Sequence, residues 1–431
     1  GIITVVMMYF LTKEILKNER MALLAMLFLA ISPWHLQFSR VAFEANIALF
    51  LVVLGVWLFL KGLKKPIFLL ISVISLSFSL YSYHSPRLFV PLLGISLVFL
   101  FRKKLLKNWQ YCLLALGLGI ILCFPLLKIM TSIEGRMRFQ GTSIFTDSIS
   151  LVGQSIERII IDQKKGLPFA NIIHNRRLVY LKRALRAYFD HFNLKWLFLE
   201  GNFDRHHVPE VSCLYFWELP FFIVGIFSLI KNKVKNYQLI LLWLFLAPLP
   251  AVLSIDIPHA VRVLNMVIPI HILSAYGIYF FPKKRLLLFS CLLFFNFLFY
   301  LHQYYVHMPI EYSASWQYGR QEMVFTAESL KENYDEIIVS TELEKSYIYF
   351  LFYLQYNPQE YLAEGGTVSG GFAETRNQVG KYHFRPIDWL SDQRKKSILL
   401  IGAPKEFPEA TLTIKTIDYL NGEEAIKFVS L

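Results

Sequence analysis

The feature that most constrains this chain is a series of apolar segments of spanning length or nearly so, which follow a stub at 2–12 that is too short to span a bilayer. Together they lie at about residues 2–12, 21–38, 46–62, 66–82, 87–101, 110–128, 214–230, 237–254, 263–281 and 286–303. About 20 apolar residues in a helix cross the hydrocarbon core of a bilayer. Only 17% of the residues are charged, whereas soluble domains carry about 25%. We therefore predict an α-helical polytopic membrane protein with about ten transmembrane helices.

Basic residues are concentrated in alternate gaps between these segments. The basic gaps contain Lys13, Lys17 and Arg20; Lys61, Lys64 and Lys65; Arg102, Lys103, Lys104 and Lys107; Lys231, Lys233 and Lys235; and Lys283, Lys284 and Arg285. Cytoplasmic loops of membrane proteins carry an excess of Lys and Arg, so we assign these gaps to the cytoplasm. The net charge of +13 is then largely topological, and we predict membrane lipids but no nucleic acid as partners.

Polar, motif-like stretches occupy the other gaps and are therefore predicted to face the extracytoplasmic side. They are residues 32–46, 81–87, the long loop 131–213 and residues 254–262, and the region from about 304 onward follows on the same side. Ionisable residues beside membrane segments are energetically costly and are usually functional. Their collection on one face of the membrane predicts a site there.

The first polar stretch runs from Ser32 to Asn46 and separates two apolar segments. Arg40 and Glu44 are four residues apart, so on a helix they would share one face. One interpretation is an interfacial salt bridge, with Glu44 at the positive N-terminal end of the next helix. The other is a functional site, and the stretch alone leaves both open.

The long loop 131–213 contains a predicted helix and a dense run of ionisable residues. Residues 176–192 have helical periodicity with basic and aromatic faces, which suits a helix lying in the membrane interface. Residues 196–207 end in Asp204-Arg205-His206-His207. This run suggests a lid or a substrate wall, although surface residues of a loop would have the same pattern. A divalent metal site is also conceivable from Asp204, His206 and His207, but two adjacent histidines are weak evidence for one.

The C-terminal region has the pattern of a small α/β domain. Residues 336–340 and 397–401 are predicted strands, and residues 346–356 a helix. Residues 411–431 are predicted to form a hairpin that turns at Asn421-Gly422. We therefore assign residues 1–303, which include the loop 131–213, to a transmembrane domain and residues 304–431 to an extracytoplasmic α/β domain. Because this domain has no nucleotide or nucleophile motif, its default role is binding or support.

An ordered set of motifs covers most of residues 10–310. They are Ser32-Pro33-Trp34-His35, Ser39-Arg40 with Phe43-Glu44-Ala45-Asn46, Tyr83-His84-Ser85-Pro86-Arg87, Leu197-Phe198-Leu199-Glu200-Gly201 with Arg205-His206-His207, Glu218-Leu219-Pro220, and His259-Ala260-Val261-Arg262. In this order the motifs resemble the bacterial branch of the protein O-mannosyltransferase and aminoarabinose transferase superfamily. The C-terminal domain also looks like the extracytoplasmic domain of such proteins.

The resemblance implies an integral-membrane glycosyltransferase of the GT-C fold that uses a polyprenyl-phosphate sugar donor, in the inner (plasma) membrane of a prokaryote. Family members carry a key acidic residue, usually Asp, just after their first transmembrane helix. The region that would hold it precedes Gly1, so we expect the chain to be an N-terminally truncated fragment that lacks its principal base and is inactive as it stands. Glu44 matches the second acidic position of the family.

The implied reaction is attack of an acceptor hydroxyl on the anomeric carbon, with inversion and departure of polyprenyl phosphate. Fixed positive charge would stabilise the leaving phosphate, and Arg suits this role because its planar fork binds two oxygens at once. We expect Arg262, His259, Arg87 and His84 to bind the phosphate, and Glu44 to orient the acceptor or tune the base. Substrate or lid contacts are expected from Arg40, Asn46, Glu200, Asp204, Arg205, His206 and His207. No metal or other cofactor is required by this chemistry.

Two other function classes stay open. A non-catalytic envelope scaffold that binds polyprenyl phosphate would need the same phosphate-binding residues but no base. A lipid or solute transporter would place polar residues near helix midpoints and would show an internal repeat, whereas the charges here cluster at one interface. A protein hydroxyl and an envelope glycolipid both remain candidate acceptors. Neither the sugar nor the oligomeric state follows from the sequence.

Overall fold

The computed structural model describes residues 1–132, 136, 144, 148–201, 204–367 and 376–431. These form two compact units. The first contains Gly1–Ser132 and the described residues from 144 to Gln303, and the second contains Tyr304–Leu431. The first unit is helical, and the second combines helices with one sheet.

The helices of the first unit follow the predicted apolar segments and the long loop. They are α1 (Ile2–Leu16), α2 (Glu19–Ile31), α3 (Pro33–Arg40), α4 (Glu44–Gly62), α5 (Ile67–Ser82), α6 (Pro86–Leu105), α7 (Trp109–Thr131), α8 (Ser148–Lys164), α9 (Ala170–Ile173), α10 (Arg176–Asp190), α11 (Leu194–Phe198), α12 (Leu219–Lys231), α13 (Tyr237–Leu246), α14 (Val267–Ile278) and α15 (Lys283–His302). The helix predicted over 176–192 is confirmed as α10.

Fewer helices than predicted are long and apolar enough to cross a membrane by themselves. In the described part of the chain these are Glu44–Gly62, the run Pro86–Thr131 and the run Lys284–Glu311, and the bent pair α2–α3 makes up to four. Two predicted segments, 87–101 and 110–128, fall within the single run Pro86–Thr131, and other apolar helices have only 10–17 residues. The structure therefore agrees with a membrane protein, but it does not confirm ten spans.

Close backbone approach holds the helices of the first unit together. The Ser72 hydroxyl of α5 donates a hydrogen bond to the Gly55 carbonyl of α4 at 2.7 Å. A Cβ placed on Gly277 of α14 would lie 1.9 Å from the Phe221 carbonyl oxygen of α12, and one on Gly225 of α12 would lie 2.0 Å from the carbonyl oxygen of Leu273. Small residues let helices pack this closely in apolar surroundings, where van der Waals contact replaces the hydrophobic drive.

Two breaks, at Pro33 and at residues 41–43, interrupt the chain between α2 and α4, and the second corrects one prediction. Pro33 cannot donate a backbone hydrogen bond and pushes Ser32 into an extended conformation, so the chain bends by 57° there. The helix α3 then ends at Arg40, and α4 begins at Glu44 after a turn in which Ala42 has a φ of 52°. The prediction that Arg40 and Glu44 share a helix face is wrong, because this turn separates them.

The second unit contains a six-stranded mixed sheet. Its strands are β1 (Glu336–Val339), β2 (Gln378–Val379), β3 (Tyr382–Phe384), β4 (Ile398–Gly402), β5 (Lys415–Asp418) and β6 (Glu424–Ser430), in the order β2-β3-β1-β4-β6-β5. Strand β1 is parallel to β3 and β4, and β6 is antiparallel to β4 and β5. The two predicted strands are confirmed as β1 and β4, and the predicted hairpin as β5 and β6.

The second unit contains five helices among its described residues. They are α16 (Met308–Glu311), α17 (Arg320–Leu330), α18 (Tyr347–Tyr353), α19 (Pro358–Ala363) and α20 (Trp389–Asp392). Of these, α17 and α18 pack on one face of the sheet, and α20, through Trp389, packs on the other. Met323 of α17 and Phe350 of α18 pack on alternate strand residues such as Ile337 and Leu399. The residues between them, such as Leu400, form a smaller core on the other face. This alternation follows from the two-residue period of a strand.

Candidate functional site

Four loops of the first unit bring histidines and one arginine together, although their positions are far apart in the sequence. The members are His84, His191, His206, His259 and Arg262, which we call the histidine–arginine cluster. The rings of His206 and His259 are 4.9 Å apart between centroids. The His259 backbone N–H donates to His191 Nε2 at 3.3 Å, and His84 and Arg262 both act electrostatically on His259.

The stretch from Ser32 to Asn46 supports this cluster through its aromatic and amide side chains. Trp34 Nε1 donates to the Ala260 carbonyl at 3.1 Å, beside His259. Gln37 Nε2 donates to the Arg205 carbonyl at 2.9 Å. The ring of Phe38 contacts that of His206 edge-on, with 5.6 Å between centroids. These contacts therefore attach the stretch to two of the loops that carry the cluster, the loop of His206 and the loop of His259.

Arg262 is the only permanent cation of the cluster. Its side chain is 90% buried, and its Nη1 atom is buried without a hydrogen-bond partner. The Asp256 carboxylate lies 4.0 Å from Nη2 and is half exposed to solvent, so it compensates the charge weakly. Burying a guanidinium with an unused donor costs free energy unless an anion accepts a hydrogen bond from that donor. This geometry suits an oxyanion ligand, since Arg binds phosphate and carboxylate oxygens in pairs.

The hydrogen bonds of His191 and His259 define which ring nitrogen carries the proton. His191 Nε2 accepts the His259 N–H, and its Nδ1 lies 2.7 Å from the Ala187 carbonyl, so the proton of neutral His191 is on Nδ1. The Arg262 backbone N–H donates to His259 Nδ1 at 3.4 Å. His259 in its neutral form therefore carries its proton on Nε2, where it is a hydrogen-bond donor.

Three histidines of the cluster, His191, His206 and His259, are neutral at physiological pH. Burial lowers the pKa of His191 to about 4 and that of His206 to about 4. Burial, and after it the charge of Arg262, lowers the pKa of His259 to about 2. Burial also lowers the pKa of Arg262, although a guanidinium stays charged. An anion bound beside Arg262 would oppose these effects and favour protonation of the imidazoles.

The low pKa values predict that acid destabilises the first unit. An unfolded histidine has a pKa near 6.5, so the unfolded state binds more protons than the folded one between pH 6.5 and about 4. Stability is therefore expected to fall with decreasing pH in this window, by about 1.4 kcal/mol per pH unit for each fully buried histidine. The contribution of half-buried His259 should be smaller because solvent screens it.

Thermal unfolding in lipid nanodiscs at pH 7, 6, 5 and 4 tests this expectation. Carboxylates also titrate near pH 4, so the informative quantity is the difference between the wild type and His206→Gln. Between pH 6.5 and 4 the variant should lose less stability than the wild type. The difference should be about 1.4 kcal/mol per pH unit, the effect of one titrating proton. Identical pH profiles would show that His206 does not titrate between its folded and unfolded values.

The predicted site residues Glu44, Arg40, Asn46 and Arg87 differ in burial and in their partners, and Phe43, next to Glu44, contacts His206 with 6.3 Å between ring centroids. Glu44 is the exposed first residue of α4, and Arg40 is the exposed last residue of α3. Asn46 is buried, and its Nδ2 donates to the Ser39 hydroxyl at 3.3 Å. Arg87 is half-buried, and its Nε donates to the Leu80 carbonyl at 3.1 Å. The hydrogen bond ties Arg87 to the end of α5.

The predicted lid residues differ in their placement. Glu200 forms an exposed ion pair with Lys195, and Asp204 is also exposed. His207 is half-buried and its Nδ1 lies 2.7 Å from the Val208 carbonyl. The described residues contain no group of three or more His, Cys, Asp or Glu side chains able to hold a metal, so Asp204, His206 and His207 are not grouped as ligands there. The alternative metal site is therefore not supported.

Sequence reasoning missed three features of the first unit. His191 follows α10 and looked like part of an amphipathic helix, and Asp256 lies in the same polar stretch as Arg262 but was not singled out. The third is a buried pair, in which His271 Nδ1 lies 2.6 Å from Glu218 Oε1 with both side chains at most 2% exposed. A lone histidine inside the apolar segment 263–281 was the available signal for this pair.

The N-terminal helices of this chain match a known protein family. Residues 1–128 match the model of the family described as dolichyl-phosphate-mannose-protein mannosyltransferase. The resemblance inferred from the motifs is thus confirmed for a mannosyltransferase-like superfamily of membrane glycosyltransferases. The match covers α1 to α6 and most of α7, with Glu44, His84 and Arg87, whereas His191, His206, His259 and Arg262 lie beyond it. No curated protein matches the chain.

Proposed function

We propose that this protein transfers a sugar from a polyprenyl-phosphate donor to a hydroxyl of a protein or envelope-lipid acceptor, with inversion, on the extracytoplasmic face of the membrane. The observation that carries the proposal is Arg262, a buried cation with an unused Nη1 donor among neutral histidines. This group suits a phosphate, and the family match of residues 1–128 points to a membrane glycosyltransferase.

In the proposed reaction, an oxygen of the acceptor attacks the anomeric carbon while the bond from that carbon to the phosphate oxygen breaks. The electron pair of the broken bond stays on the phosphate, and the hydroxyl proton passes to a carboxylate base. Arg262 would stabilise the growing negative charge, and the Nε2–H of His259 would donate to a second phosphate oxygen. Glu44 would orient the acceptor hydroxyl.

The distribution of charges along α4 supports the proposed sidedness. Glu14 of α1 lies 3.2 Å from Lys61 and 3.4 Å from Lys64, so two of the basic gaps meet at one end of the helices. Glu44 begins α4, whose 19 residues extend about 28 Å at 1.5 Å per residue. The basic end would face the cytoplasm by the positive-inside rule, and the end with Glu44 would face the other side.

One observation favours a second candidate, a non-catalytic protein that binds polyprenyl phosphate. Glu44 is exposed, and the carboxylate near Arg262, that of Asp256, is half exposed. A cluster of Arg and neutral His binds an anion without performing chemistry. The two candidates therefore share the phosphate site and differ in whether the sugar is released.

Release of labelled sugar from a panel of polyprenyl-phosphate sugars distinguishes them. The full-length protein in nanodiscs would be compared with Glu44→Gln and with Glu332→Gln, an exposed carboxylate of the second unit that serves as control. We expect turnover with at least one donor, a reduction of tenfold or more in Glu44→Gln, and no change in Glu332→Gln. Donor binding without release would support the binding protein, and full activity of Glu44→Gln would remove Glu44 from the site.

A further inference from the structure

A second polar site lies in the second unit, formed by α17, α18 and the segment before α17. It is a cavity of about 720 Å³ lined by Trp316, Gln317, Arg320, Phe325, Tyr349 and Tyr353, among others. Pockets of 300–1,000 Å³ hold small ligands in most proteins. None of these residues belongs to the histidine–arginine cluster, so this cavity needs its own explanation.

Arg320 is the group in this cavity that calls for a ligand. The residue is only 7% exposed, and its Nε and Nη1 atoms are buried without hydrogen-bond partners. Burial lowers the pKa of Arg320, but the guanidinium stays charged. A buried charge with two unused donors is unfavourable in the free protein. A bound anion would remove this penalty by accepting from the planar fork.

The nearby carboxylates do not neutralise Arg320 by direct contact. Glu322 is paired with Lys415, with 2.6 Å between Oε1 and Nζ. Glu344 accepts a hydrogen bond from Gln317 Nε2 at 2.6 Å, and it acts on Arg320 only through its electrostatic field. Both carboxylates therefore have partners of their own.

Aromatic side chains also line the cavity. Tyr349 and Tyr353 are nearly parallel, with an interplanar angle of 16° and 6.5 Å between centroids, and Phe325 lies 6.0 Å from Tyr353. Trp316 adds an Nε1–H that is buried without a partner. The negative face of an aromatic ring attracts weakly positive C–H groups, which the faces of a sugar ring present in number. An N–H donor beside such a wall suits a hydroxyl oxygen.

We propose that this cavity binds a sugar that carries an anionic group, with the anion on Arg320 and the sugar ring against the aromatic side chains. The anion is a carboxylate or a phosphate attached to the sugar, since Arg binds both in the same way. The proposal does not depend on the transferase activity of the first unit. It gives the second unit a binding role of its own.

Equilibrium binding to the full-length protein in nanodiscs tests the proposal. The probes are D-glucuronate, D-glucose 6-phosphate, D-glucose and inorganic phosphate, and titration calorimetry gives their dissociation constants. We expect at least one of the two anionic sugars to bind tenfold or more tightly than both glucose and phosphate. The tighter of the two identifies carboxylate or phosphate as the anion. Binding of glucose or of phosphate alone that equals that of both anionic sugars would overturn the proposal.

Three variants connect this binding to the cavity. Arg320→Met should abolish the preference for the anionic sugar over glucose, while Arg394→Gln, an exposed arginine outside the cavity, should keep it. Tyr353→Leu keeps the charge and should weaken binding of the anionic sugar and of glucose alike, at least fivefold, so it decides the matter if Arg320→Met does not fold. Unchanged affinity in a folded Arg320→Met, or in Tyr353→Leu, would place the binding elsewhere.

Discussion

Replacing Arg262 with methionine is expected to lower the rate of sugar transfer by about 10²–10³-fold, the loss that follows removal of one preorganised charge-stabilising donor. The loss should appear in kcat, because the charge on the leaving phosphate is greater in the transition state than in the bound donor. The folded protein should not suffer. Arg262 is buried with an unused Nη1 donor, and its neighbour Asp256, 4.0 Å away, is half exposed, so water can solvate that carboxylate when the guanidinium is replaced by an apolar side chain.

The combination of lost activity and retained stability is what separates a functional Arg262 from a structural one. Arg262→Lys keeps the charge but loses the fork, so we expect it to recover only part of the activity. Arg158→Gln, on α8, is the matched control for charge and should behave as the wild type. Donor turnover and melting temperature are measured on the same nanodisc samples. A strongly lowered melting temperature in Arg262→Met, with activity falling in proportion, would assign Arg262 to folding.

Breaking the buried pair of Glu218 and His271 is expected to cost stability rather than donor affinity. Glu218→Leu would leave His271 Nδ1 buried without the oxygen that lies 2.6 Å away, and His271 Nε2 already has no partner. Removing one member of a buried pair typically costs about 3–5 kcal/mol. We therefore expect the melting temperature of Glu218→Leu to fall by several degrees, as measured by thermal unfolding in nanodiscs.

A double-mutant cycle tests whether the two residues act as a pair. His271→Phe keeps an aromatic ring beside Phe28, which stacks on His271 with 6.3 Å between centroids. We expect this single variant to be destabilised as well, because Glu218 then lacks its partner. The double variant should recover most of the loss, since two apolar side chains leave no unpaired group. Additive losses in the double variant would mean that the contact contributes little.

Patterns that act over a few residues predicted much of this molecule. Short runs of Ile, Leu and Val located β1 and β4, and the Asn421-Gly422 turn located the hairpin of β5 and β6. Helical periodicity located α10. The motifs from residues 32 to 87 carried the family resemblance that the match of residues 1–128 confirms. Each of these signals depends on neighbours in the chain, which is why it is visible in a single sequence.

Local sequence patterns did not predict the number of membrane spans or the geometry at Arg40 and Glu44. Apolar length predicts that a segment is buried in protein or lipid, and it does not distinguish the two. Short helices such as α5 pack against partners in the first unit, and the turn at residues 41–43, where Ala42 has a φ of 52°, contains no glycine or proline that would signal it. Hydrophobicity alone therefore predicted more spans than the three or four candidates that helix length and composition give in the described residues.

The amino-acid sequence on its own specified a helical membrane protein, a C-terminal α/β region and, among its polar residues, His206, His259 and Arg262. Only the tertiary structure joined these three with His191, paired Glu218 with His271, and enclosed Arg320 in an aromatic cavity. Such contacts join positions far apart in the chain, 226 residues in the case of Trp34 and Ala260, and their formation depends on the packing of whole helices and loops. No local pattern encodes that packing, so burial and unused donors appear only once the chain is folded.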